Sequence, residues 1–70
     1  MCNFEVIEAV REQAEKLIGH TNDLRLGFNV VEEEFREGNL DNGALSSLNQ
    51  AVHRLEADAA AFQKLLEGQT

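Results

Sequence analysis

Apolar residues recur along most of this chain at alternating spacings of three and four, in two runs separated by a short polar break. The first run is Ile7, Val10, Ala14, Leu17, Thr21, Leu24, Phe28, Val31 and Phe35, and the second is Leu45, Leu48, Val52, Leu55, Ala59, Phe62 and Leu66. A strand would alternate every second residue, so this spacing predicts two long amphipathic helices. The chain has no proline and five glycines, and the heptad passes Gly19 and Gly27 without a skip. One continuous helix over about residues 4–37 follows, roughly 34 residues and about 50 Å long. Gly19 and Gly27 fall outside the expected seam, each at a cost of about 1 kcal/mol relative to alanine.

The stop and restart are marked by residue type. Gly38 suits the left-handed position after a helix C-terminus, where the missing Cβ removes a steric penalty. Asp41 suits the N-cap of the next helix, its carboxylate accepting a hydrogen bond from an otherwise unpaired backbone N–H. Leu40 and Leu45 flank that cap as a hydrophobic staple, and Asn3 is placed to cap the first helix. The turn is residues 38–40 and the second helix spans about 42–67, a link so short that the helices must run antiparallel.

Folding the runs against each other at this turn pairs Phe35 with Leu45, Val31 with Leu48, Phe28 with Val52, Leu24 with Leu55, Thr21 with Ala59, Leu17 with Phe62, and Ala14 with Leu66. The paired numbers always add to 79 or 80. Independent helices have no reason to keep such a register, so the fold class is all-α: a coiled-coil-like antiparallel two-helix hairpin, one domain over 1–70. Thr21 is expected to return its hydroxyl to a preceding carbonyl of its own helix.

Apolar surface remains after this pairing. The first helix outruns the second by one to two turns, presenting Phe4, Val6, Ile7 and Val10, while Leu26 and Val30 form an i,i+4 pair on its outer face. A hairpin covers only one stripe of each helix, so leftovers of this size predict completion by a partner or by dimerisation into a four-helix bundle. These six residues are the expected partner-binding set. Glu32, Glu33, Glu34 and Glu37 crowd the negative end of the helix dipole, which they do not stabilise; they read as a solvated face or as an acidic docking patch.

Composition narrows the partners. Thirteen acidic and six basic residues give a formal charge of −7, and phosphate binding needs clustered Lys and Arg, so nucleic acid is not an expected ligand. A lone cysteine, Cys2, precludes an intramolecular disulfide and suits a reducing compartment. Acidic residues interrupt every apolar stretch, and neither an export signal nor a membrane span is legible. A cytoplasmic protein is expected.

No catalytic constellation is present. His20 and His53 fall in different layers of the hairpin, with His20 at the seam's edge and His53 in solvent. Neither sits in a Glu-x-x-His pair that would hold a metal. His20 is followed by Thr-Asn-Asp-Leu-Arg rather than the Lys-Gly of phosphotransfer modules, and Gly19 and Gly27 make no phosphate loop. No enzyme activity, cofactor or metal is expected.

Over roughly residues 24–67 the chain resembles the small hairpin co-chaperones of type III secretion systems. What is similar is Phe35-Arg36-Glu37-Gly38 at the turn, then Leu48-Asn49-Gln50-Ala51-Val52-His53-Arg54-Leu55-Glu56, the small-residue patch Ala57 to Ala61 and the terminal Leu65-Leu66-Glu67. The resemblance implies a hairpin that stabilises a second, helical-repeat chaperone and so keeps a needle subunit soluble. Glycines inside the first helix and a heptad reaching back to Ile7 depart from that pattern. Two other readings stand beside it: a homodimeric four-helix bundle resembling the plasmid copy-number regulator, without its RNA binding, and a phage- or plasmid-encoded inhibitor acting through the acidic patch.

Overall fold

The computed structural model describes residues 3–68. It contains two helices, α1 over Asn3–Glu37 and α2 over Asn42–Glu67, packed as an antiparallel hairpin 57 Å long and 15 Å by 13 Å across. Helix α1 is unbroken through Gly19 and Gly27, and its first residue is Asn3 itself, with Glu5 in the first turn at the positive end of the dipole. Cys2 lies outside the described residues.

The turn follows the chemistry of its residues. Gly38 takes φ +79°, the only positive φ among the described residues. Its N–H donates to the Phe35 carbonyl at 3.1 Å, while the Asn39 N–H reaches back to the Glu34 carbonyl at 2.9 Å. These two bonds form a Schellman motif and occupy carbonyls that the end of α1 would leave unpaired. Asp41 is extended and accepts a hydrogen bond at 2.9 Å from the Ala44 N–H, the expected N-cap. Leu40 and Leu45 both stay substantially exposed.

The antiparallel course of the helices holds, but the seam is rotated on both of them, and Leu48 lies beside Gly27, a helical turn from its expected partner Val31. The central columns are those anticipated: Leu17, Leu24 and Val31 on α1 are half-buried, as are Leu48, Leu55 and Phe62 on α2. Their flanking partners are not Thr21, Phe28 and Phe35 with Leu45, Val52 and Leu66. The hairpin closes instead through the columns on the other side, Gln13, His20, Gly27 and Glu34 of α1 against Ala44, Ala51, Asp58 and Leu65 of α2. Gly27 therefore belongs to the seam rather than lying off it. A Cβ built there would meet the Leu48 side chain at 3.5 Å and its Cα at 4.0 Å.

Side-chain size explains the choice. Gly27, Ala44 and Ala51 let the backbones approach closely, and Ala51 is 4% exposed. His20 and Asp58 satisfy each other within the same stripe. The bulkier column is left outside: Phe28 is 51% and Phe35 71% exposed. Among the described residues no large side chain is fully buried.

Candidate functional site: an apolar helical face

Each helix places three adjacent columns toward its neighbour, and the hairpin uses two. The edge where the inner columns meet solvent is mixed, with open grooves where Glu12, Gln13, Lys16 and Lys64 flank Ala9, Ala61 and Leu65 at one end, and where Glu34, Asp41 and Ser47 flank Val30 and Ala44 near the turn. The opposite edge is apolar. There Leu17, Ala59, Phe62, Gln63 and Leu66 line a groove of about 300 Å³. The columns containing Ile7, Thr21, Phe28 and Phe35, and Leu45, Val52, Ala59 and Leu66, flank this edge along the whole rod, and no charged residue occurs in them.

The partner-binding residues expected from sequence are thereby separated. Ile7 belongs to the apolar column and is exposed, with Phe4 exposed one helical turn before it. Val10 lies in line with Leu17 and is half-buried. Val6 is half-buried and in line with Gln13, on the polar side of the seam. Leu26 and Val30 are exposed on α1 away from the apolar edge, with Val30 on the rim of the mixed groove near the turn. Sequence reasoning placed Phe28, Phe35, Leu45, Val52 and Leu66 inside the hairpin; the structure presents them to solvent. Both columns beside Leu17, Leu24 and Val31 keep the same spacing, so the sequence pattern did not decide which of them the hairpin covers.

The four expected acidic docking residues do not share one surface. Glu32 pairs with Arg36 at 3.6 Å, both well exposed, and Glu33 and Glu37 are exposed. Glu34 turns into the seam, where its Oε1 is buried without a hydrogen-bond partner among the described residues.

The polar centre of the hairpin is His20 with Asp58. His20 Nδ1 contacts Asp58 Oδ2, and Gln13 Nε2 donates to the Asp58 carbonyl at 3.5 Å. Asp58 is 8% exposed, the one buried charged residue among those described. This pairing was missed from sequence, although both residues sit three positions from a core column and at matching heights. His53 faces solvent and pairs with Glu56 at 3.4 Å. Thr21 donates its hydroxyl to the Leu17 carbonyl at 2.9 Å, as expected.

Among the described residues no three His, Cys, Asp or Glu side chains gather as a metal site, and no helix is long and apolar enough to cross a membrane. Comparison of the chain with family models, curated proteins and solved structures gives no match.

Proposed function

We propose that this chain is a non-catalytic protein–protein interaction module: half of a helical bundle, completed when its apolar edge docks on helices of another polypeptide. The observation that carries this reading is the division of apolar residues. The hairpin closes on its small and polar columns and leaves the large apolar ones uncovered along the length of the rod. Fully burying a Phe, Leu or Val side chain is worth about 1.5–3 kcal/mol, so an uncharged face carrying this many is a strong driver of association.

A co-chaperone or adaptor role, as the resemblance to secretion co-chaperones implies, is one form of the proposal. The overhang of α1 favours it, because Phe4 and Ile7 are exposed beyond the end of α2 and offer a second chain an extra turn of helix. Docking through the acidic residues is less well supported, since Glu34 is drawn into the seam away from Glu32, Glu33 and Glu37.

The test compares two faces in the cell that makes the protein. A tagged chain is expected to co-purify with its bound chains, including untagged copies of itself, and Phe28→Asp with Val52→Asp should remove them. Leu26→Asp with Val30→Asp should not. Purification of a folded chain alone, or loss of bound chains only with the second pair, overturns the reading.

A further inference from the structure

The apolar face is not uniform along the rod, and its two halves are complementary in shape. Toward the turn it carries knobs, Phe28 and Phe35, each more than half exposed. Away from the turn, the same column of α1 continues as Thr21 and Ala14, and the neighbouring groove between Leu17, Ala59, Phe62 and Leu66 is open, about 300 Å³. Near the middle of the rod the surface thus passes from large residues, Phe28 and Phe35, to small ones, Thr21, Ala14 and Ala59, with Ile7 and Leu66 exposed again toward the far end, and a surface that carries both a knob and a recess can pair with its own copy.

Resting on the bundle-completing reading above, we infer that the occupant of this face is a second copy of the chain, related by a two-fold axis that crosses the rod at right angles near Leu24 and Leu55. That axis lays α1 on α1 and α2 on α2, each pair antiparallel. Phe28 of each copy then comes over Thr21 and Ala59 of the other, and Phe35 over Ala14 and Leu66, closing the groove. The same operation carries the turn of one copy, with exposed Leu40, toward Ile7 and Val10 on the overhang of the other, which α2 is too short to reach. The length difference between the helices becomes a docking step for the partner's turn.

Size supports the pairing. A face with the rod's own extents, 57 Å by 15 Å, has a footprint of about 800 Å² per copy, the scale of a stable protein interface. An alternative two-fold, parallel to the helices, would bring Arg25 beside Glu56 of the other copy but would set the two open grooves face to face. Among the described residues Arg25 has no carboxylate partner in its own chain, so that ion pair would be a new one, exposed to solvent. Such pairs contribute little, whereas closing a groove with phenylalanine rings contributes much. Volume therefore selects the crossing axis, and Arg25 then lies near its own copy.

Light scattering and site-directed cross-linking of the purified full chain test this. At low micromolar concentration the mass is expected at twice 7.8 kDa, and Phe28→Asp with Phe35→Asp should weaken self-association at least 100-fold. Because that variant could also unfold, a second one keeps the fold intact: in a Cys2→Ser background, Arg25→Cys should cross-link to itself with a short bifunctional maleimide. A folded monomer at tens of micromolar overturns self-pairing and, if Phe28 still governs capture of another protein, leaves the bundle-completing reading standing. A dimer in which Arg25→Cys links only to Glu56→Cys overturns the crossing axis proposed here. A dimer broken by Leu26→Asp with Val30→Asp but not by the phenylalanine changes overturns both readings.

Discussion

At the residue scale, the choices that set the hairpin's geometry are small ones. Gly27 faces Leu48 at a distance where a methyl group would make ordinary van der Waals contact, so the glycine is not sterically required. Gly27→Ala is expected to raise stability by about 0.5–1 kcal/mol through helix propensity, read as an increase in the urea midpoint without a change in slope. His20 and Asp58 behave as a unit. Removing one partner leaves a largely buried polar group unsatisfied, so His20→Ala should cost about 1–3 kcal/mol. His20→Leu with Asp58→Leu should be close to neutral, since replacing both members of a hydrogen-bonded pair by apolar groups leaves no polar atom unsatisfied. A double-mutant cycle by thermal or chemical unfolding checks this; additive losses would show that the two side chains do not interact.

Between the two helices, the turn decides register. Gly38→Ala forces a Cβ into the left-handed region at φ +79° and should cost about 1–2 kcal/mol. The measurable outcome is a lower unfolding midpoint with the oligomeric mass unchanged at high concentration. This element was legible from residue type alone: Gly38 at the helix end and Asp41 at the cap each have one physical use in that position. The antiparallel course of the two runs was legible too, because a short turn fixes it. What could not be read was the rotation of each helix about its own axis. The columns on either side of Leu17, Leu24 and Val31 both obey a spacing of three and four, one rich in phenylalanine and the other holding Gln13, His20, Gly27 and Glu34. Hydrophobicity favours the first and close approach the second. The structure resolves the contest by giving the hairpin the second and leaving the first exposed.

Taken as a whole, the molecule separates its charge from its exposed apolar columns. The formal charge of −7 per chain resides off the apolar columns, so bringing two copies together works against like-charge repulsion that salt screens. Self-association through this face should therefore tighten, by several-fold, as ionic strength rises from about 0.01 M to 0.15 M, where the screening length falls from about 30 Å to 8 Å. Sedimentation equilibrium across that range reads the effect. Docking driven by Glu32, Glu33 and Glu37 on a basic partner would weaken over the same range.

The closed turn at one end and the free tips at the other also impose an order in time. Chain closure near Gly38 spans few residues, whereas His20 and Asp58 are 38 positions apart and Gln13 and Asp58 are 45 apart. Loop-closure entropy grows with separation, so the helices should zip from the turn outward and reopen from the tips inward. The half of the face that carries Phe28 and Phe35 is thus formed before the half with the open groove, which lies where the hairpin parts first. In the proposed dimer an incoming copy would meet firm knobs and a yielding socket, and release would begin at the socket.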